Sequence, residues 1–211
     1  MKILHTSDSH GFYREILKAL EGDFDLWIDS GDFFPNKTRG DKSVEVNFQT
    51  KWFGWKNLGE RIVKALSGRT LISISGNHDF VSLAKLVSDA GGNAFDLSEG
   101  SVEIDGQVFA GFSQIPFIVG EWNGEVQQDV FSSLMEKALE SDPTILVTHV
   151  PPAGIMDEGW GSTGIINTLT WAEHNVHHHF FGHIHGTGGH VQEEMGIFFY
   201  NGGCKTIFHE I

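Results

Sequence analysis

A single cysteine, Cys204, stands among the 211 residues. That excludes an intramolecular disulfide framework and a Cys-rich zinc site, so any bound metal has to be held by His, Asp, Glu or Asn. Long apolar runs are missing too: none approaches the roughly 20 residues needed to span a bilayer, which predicts no membrane partner. Positive charge is scarce. Lys and Arg number 14 against 28 Asp and Glu, for a formal net charge of −14, and the basic residues are scattered. A protein that grips nucleic acid through its phosphates carries a basic face, so this balance argues against a long nucleic acid while leaving small nucleotides open. Repeats, linkers and low-complexity tracts are also absent, which predicts one domain over residues 1–211. The opening Met1-Lys2-Ile3-Leu4-His5 enters a strand-like run with no signal peptide before it. Together with the lone thiol, this predicts a cytoplasmic protein.

What remains is an ordinary globular composition, 40% hydrophobic and 20% charged, with an unusual number of histidines, 12. His174, His177, His178, His179, His183, His185 and His190 fall in one short stretch. Clustering alone proves little, since about one H-x-H pair is expected by chance at this content.

Apolar spacing predicts strands at 2–7, 25–30, 70–75, 144–148 and 176–181, and helices at 12–20, 44–66, 81–90, 126–139 and 165–171. Gly54 and Gly59 are candidate breaks in the long helix. Val102–Ile104 and Gln107–Phe112 flank Asp105-Gly106, a strong hairpin signal. Segments 33–43, with Pro35, Asn36 and Gly40, 113–126 and 150–163 read as loops that shape a pocket. The tail, 189–193, 197–200 and 205–210, reads as a small antiparallel meander. Strands alternating with helices predict an α/β sandwich. Trp52 and Trp55 read as core packing.

Five polar clusters each follow an apolar strand: Asp8/His10, Asp32, Asn77/His78, His149 and His183/His185. Open α/β sheets bind ligands beyond the carboxyl ends of their strands, so this pattern delivers all five to one edge. Residues two apart on extended backbone face one side, which lets Asp8 and His10, or His183 and His185, share a cavity. Gly11, Gly31, Gly76 and Gly182 flank the clusters, where sharp turns need a residue without Cβ. Any one strand-end His or Asp is as often a loop hydrogen-bonding group; five in register point to a site. Imidazole, carboxylate and amide oxygen together suit Zn, Mn, Fe or Ni more than Ca. His177, His178, His179, His5, His174, His190 and His209 receive no role.

Asp8-Ser9-His10, Gly31-Asp32, Gly76-Asn77-His78-Asp79, His149 and Gly182-His183-Ile184-His185 resemble, in order, the signature of the calcineurin-like metallophosphoesterases. The resemblance implies a four-layer α/β/β/α sandwich and two divalent metal ions, Mn first with Fe, Zn or Ni as alternatives. It implies that Asp8, His10, Asp32 and His185 hold one ion, and Asp32, Asn77, His149 and His183 the other. His78 is similar to the family's leaving-group histidine, and Asp79 to the acid that orients it. The segment 149–154, with Asp157 and Gly161-Ser162, resembles small bacterial and phage-type members acting on phosphodiesters. Asn201-Gly202-Gly203-Cys204 departs from the turn common after the last motif. The implied activity is hydrolysis by a metal-bridging hydroxide, with a small diester such as a cyclic nucleotide as first expectation. A phosphomonoesterase, a DNA nuclease and a non-catalytic scaffold follow in that order.

Overall fold

The structure is a computed structural model that describes residues 1–38 and 41–211, so the Gly40 turn position lies outside the described residues. In chain order the first half holds β1 (Lys2–Ser7), α1 (Arg14–Ala19), β2 (Leu26–Asp29), α2 (Lys42–Gly54), α3 (Leu58–Leu66), β3 (Thr70–Ser73), α4 (Leu83–Asp89) and β4 (Asn93–Asp96). Then come β5 (Val102–Ile104), β6 (Gln107–Phe112), β7 (Ile115–Pro116), β8 (Glu125–Val126), α5 (Gln128–Leu139) and β9 (Ile145–Thr148). The chain ends with α6 (Thr163–Trp171), β10 (His178–Phe181), β11 (Val191–Glu194), β12 (Ile197–Asn201) and β13 (Lys205–Glu210).

Among the described residues two large sheets result, in the orders β13-β1-β2-β3-β4 and β11-β12-β10-β9-β6-β5, with a small third one of β7 and β8. Their central strands are parallel, and antiparallel strands close three edges: β13 beside β1, β11 beside β12 and β5 beside β6. Alternation along each strand then sorts side chains into layers. In β1, Ile3 enters the core between the sheets while Leu4 joins the core under the helices; in β2, Ile28 and Trp27 divide the same way. In β9, Val147 packs between the sheets and Leu146 packs toward α5 and α6. Three cores therefore separate four layers, α/β/β/α. Each fully buried Leu, Ile or Phe contributes about 1.5–3 kcal/mol to this packing.

Five features differ from the sequence expectation. The helical pattern at 44–66 is interrupted at Trp55–Asn57, where Lys56 (φ 51°) and Asn57 (φ 56°) are left-handed. Its first part begins earlier, at Lys42, because the Asp41 side chain caps it by accepting from the Ser43 and Val44 amides. Trp52 packs on Phe33 and Phe34 as expected, but beyond the break Trp55 is 53% exposed rather than in the core. The strand β4 has only Ala94 and Phe95 as apolar residues, too few for a periodic signal. In the tail, β11 and β12 form a hairpin in the second sheet, but β13 crosses to the first and pairs with β1. Local pattern shows that β13 is a strand and cannot show which edge it finds. The Asp105-Gly106 hairpin is present, with both turn residues at positive φ. No helix among the described residues is long and apolar enough to cross a membrane.

Candidate metal centre

The parallel strands β1, β2, β3, β9 and β10 point their carboxyl ends the same way, and the residues after each turn inward together. Backbone hydrogen bonds knit these turns: Asp8 N to Gly31 O at 2.8 Å, His10 N to Asp32 O at 2.9 Å, Gly182 N to His149 O at 3.0 Å. Asp8, His10, Asp32 and His183 all have positive φ, between 43° and 69°. For non-glycine residues that conformation is strained and persists only where the surroundings enforce it, as they do at functional sites. Extended backbone beyond β1 or β10 would have aimed these side chains elsewhere. Close approach adds a second requirement: a Cβ on Gly182 would collide with the Ser7 and Asp8 side chains, and one on Gly76 with Asp32.

Asp8, Asp32, Asn77, Asp79 and His149 are all at most 3% exposed. Three overlapping groups have potential ligand atoms within 4.8 Å of one another: Asp8/His10/His185, His10/Asp32/His78 and Asp8/Asp32/His149. His185 Nε2 is 3.3 Å from Asp8 Oδ1, His149 Nε2 is 3.3 Å from Asp32 Oδ2, and His10 Nε2 is 3.4 Å from His185 Nε2. The rings of His149 and His183 meet edge to face at 5.1 Å. Asp8 also joins the sheets, its Oδ2 accepting from His183 N at 2.8 Å. His149 donates Nδ1–H to Ser30 O at 2.9 Å, which leaves Nε2 facing the cavity.

The electrostatics follow from burial and proximity. Burial opposes ionisation of Asp32, but the charges of His149, His78 and His10 overcome it and hold the carboxyl well below the usual range. Burial likewise opposes a charge on His149, yet Asp32 and Asp8 push its pKa up to about 10. His183 is lowered to about 4 by burial and by the His149 charge, which keeps it a neutral donor.

The donors fit divalent metal ions by a direct observation. Asn77 Oδ1 is buried without a partner, and buried Asp8 Oδ1 and His149 Nε2 have only the 3.3 Å ion-pair contacts to His185 and Asp32. A buried polar atom left unpaired, as Asn77 Oδ1 is, costs about 1–3 kcal/mol, and all three atoms belong to residues gathered at one strand edge. Oxygen, amide oxygen and imidazole nitrogen make a donor set suited to Mn, Fe, Zn or Ni.

His78 approaches Asp32 Oδ2 with its Nε2 at 4.0 Å. Its orientation does not come from Asp79, the residue expected for that task. The Asp79 carboxylate instead accepts from the Asp32, Phe33, Phe34 and Gly76 amides, shaping the loop that carries Asp32. Burial beside Asp32 raises its pKa to about 7. Asn36 holds the ring: its Oδ1 meets His78 Nδ1 and its Nδ2 donates to His78 O at 2.9 Å. Trp122 lies against the same ring, centroids 4.4 Å apart. The sequence marks Asn36 only as a turn residue and Trp122 only as part of a loop. Asp157 accepts from the Gly154 and Gly161 amides and so fixes its loop rather than facing the centre. His177 is exposed, while buried His179 bonds Thr148 Oγ1 at 2.8 Å, both outside the centre.

Comparison with known proteins agrees with this geometry. A UPF0046 protein of Caenorhabditis elegans is 25% identical over 199 residues, covering 88% of this chain; the chain spans 63% of that relative's length. Among solved structures, TT1561 of Thermus thermophilus superposes with a TM-score of 0.66 at 16% identity, over 96% of this chain and 88% of that one. The phosphopantetheinyl hydrolase of Mycobacterium tuberculosis gives 0.55 at 12% identity, over 97% and 89%. At such identities these two structures show a shared fold. The family model described as calcineurin-like phosphoesterase matches residues 1–187, the stretch that carries every donor above, and the chain belongs to that family.

Proposed function

We propose that this chain, as one domain over residues 1–211, hydrolyses small phosphodiesters at a centre of two divalent ions. The convergence of buried Asp8 Oδ1, Asn77 Oδ1 and His149 Nε2 on one edge, beside the Asp and His ligand atoms gathered within 4.8 Å of one another, carries the reading. Asp8, His10, Asp32 and His185 would hold one ion and Asp32, Asn77, His149 and His183 the other, with Asp32 shared. Bound there, two ions would lower the pKa of a shared water toward neutrality and offset charge on the phosphoryl oxygens.

The protein groups supply orientation and proton handling. Because His78 donates Nδ1–H to Asn36 Oδ1, Nε2 is the free ring nitrogen, and in the imidazolium form it would hold the proton passed to the leaving oxygen. The strained turns at Asp8, His10, Asp32 and His183 fix the donors before substrate arrives. Preference for a diester over a monoester is supported by two cavities that adjoin different residues of the centre. One of about 850 Å³ adjoins Asp8, His10 and His185, and one of about 270 Å³ adjoins His183, lined by Phe117 and Trp160. A diester carries two organic groups and a monoester only one.

The decisive experiment compares bis-p-nitrophenyl phosphate, p-nitrophenyl phosphate, cyclic nucleotides and single-stranded DNA with added Mn²⁺. Diester hydrolysis that exceeds monoester hydrolysis, and that ends on chelation, is the expected result. The reverse preference would make the chain a phosphomonoesterase. Protein that binds no Mn²⁺ or Zn²⁺ and turns nothing over would be a scaffold on this fold.

A further inference from the structure

The larger cavity is unlike the rest of the surface. Its volume of about 850 Å³ is in the range of small-molecule sites, roughly 300–1,000 Å³. Two of its lining side chains are large aromatics left in water: Phe12 is 84% exposed and Trp55 is 53% exposed. Single exposed apolar residues are ordinary; two lining one cavity are less so. Trp55 is placed there by the break between α2 and α3. On an unbroken helix it would follow Trp52 by three residues and share its buried face. The consecutive left-handed residues Lys56 and Asn57 end that continuity instead, a strained arrangement of the kind found at ligand sites.

Charge points the same way. Arg14, Lys56 and Lys205 line this cavity, and none of them forms an ion pair among the described residues. The Lys56 ammonium lies 4.3 Å from the Trp55 ring centroid, so a cation sits at the aromatic wall itself. Among the described residues, Glu15 is the one carboxylate on the lining besides Asp8. In a chain of net charge −14, three unpaired cations around one cavity favour an anion there.

We propose that this cavity is the subsite for one organic half of the substrate, and that it takes a linear nucleotide-type ester. The flat base rests on Phe12 and Trp55, and a further phosphate faces Arg14, Lys56 and Lys205. The assignment rests on the phosphoesterase reading, because it puts the scissile phosphate at the Asp8, His10 and His185 end of the cavity. It also narrows that reading: a second anionic group distinguishes a linear polyphosphate or dinucleotide from a 3′,5′-cyclic nucleotide.

Calorimetric titration of the Mn²⁺-loaded protein with ADP, AMP and ribose 5-phosphate tests it. These probes share a phosphate and differ in base and second phosphate. Stacking of a base on an aromatic side chain predicts AMP binding about tenfold tighter than ribose 5-phosphate, and ADP tighter again. The pair Phe12→Ala with Trp55→Ala should bring AMP down to ribose 5-phosphate, while Trp55→Phe alone retains most of the difference. Lys56→Ala with Lys205→Ala should erase the advantage of ADP over AMP. Both aromatic side chains are exposed, and circular dichroism will verify that the variants fold. Equal affinity for AMP and ribose 5-phosphate, or a base preference that survives the double aromatic substitution, overturns the subsite. A base preference that the aromatic pair abolishes, in protein that hydrolyses no ester, supports the subsite and overturns the phosphoesterase reading alone.

Discussion

His78 is the residue on which catalysis and mere metal binding separate. Asn36 holds its Nδ1 and its carbonyl, Gln49 Nε2 donates to the same carbonyl at 2.7 Å, and Trp122 covers the ring. Its ring also lies edge-on to His10 and 4.0 Å from Asp32 Oδ2, but it is not itself among the proposed donors. His78→Ala should therefore keep both ions, measured by metal analysis after dialysis, while kcat for a diester falls by about 10²–10⁴. Unchanged turnover would remove it from the mechanism. Asn36→Ala leaves the imidazole present but free to rotate, and the expected outcome is a smaller loss, about tenfold in kcat with KM little changed. An altered pH–rate profile in that variant would mark a positioning role, because Asn36 selects which ring nitrogen faces the leaving oxygen. Both substitutions lie in half-buried loops, so a fall in metal content would show damage to the fold instead. Asn36 was illegible in the sequence for a simple reason: its partner is 42 residues away and no period connects them.

Elements meet through a few polar staples, of which Arg69 is the clearest. Its guanidinium donates to Leu20 O and Gly22 O after α1, to Ala65 O in α3 and, through Nε, to Leu66 O at 2.9 Å. The last carbonyls of a helix have no partner inside it, so one side chain satisfies the ends of two helices at once. The same group lies over the Phe24 ring at 3.8 Å. Arg69→Met keeps the stem and removes these bonds, with an expected loss of about 2–3 kcal/mol by urea denaturation. A loss under about 0.5 kcal/mol would show that water replaces the guanidinium freely. Most elements were legible, because β1, β3, β9 and the 105–106 hairpin each have a strong local pattern. The break at Trp55–Asn57 was placed only approximately, near the helix glycines. It is made by Lys56 and Asn57; Asn tolerates left-handed backbone, but nothing in the local sequence announces it for Lys56.

At the scale of the whole molecule, acid should act through buried histidines away from the centre. His179 is lowered to about 3 and His209 to about 4, both by burial, and His5 is lowered by burial and by His209. Depressed values mean that the unfolded chain binds protons the folded one refuses. Stability is then fully present above the unfolded value of about 6.5 and is lost progressively as pH falls toward the folded values. The melting temperature should decline from pH 7 to pH 4, and His179→Gln, which can still bond Thr148, should make that decline shallower. An equal decline in the variant would assign the acid sensitivity to other groups. Metal should act in the opposite direction. Ions that bind only the folded centre raise stability by about 2.7 kcal/mol at a hundred times Kd, so Mn²⁺ should raise the melting temperature and a chelator should reverse it. No shift with either would show that the donors gather without binding.

Strand–helix alternation indicated an α/β sandwich and a common edge for the five polar clusters, and the resemblance carried by the motifs implied its four layers. The alternation and the edge depend on local backbone direction, and a parallel strand ends where its apolar run ends. Tertiary packing alone decided the rest: β13 on the first sheet rather than in the tail meander, Asp79 on the Asp32 loop rather than on His78, and Asn36 on the histidine instead. It also turned Trp55 out to a cavity beside the centre. All of these are contacts or turns fixed by segments far apart in the chain, where free energy depends on which surfaces meet and local pattern carries no record of the meeting.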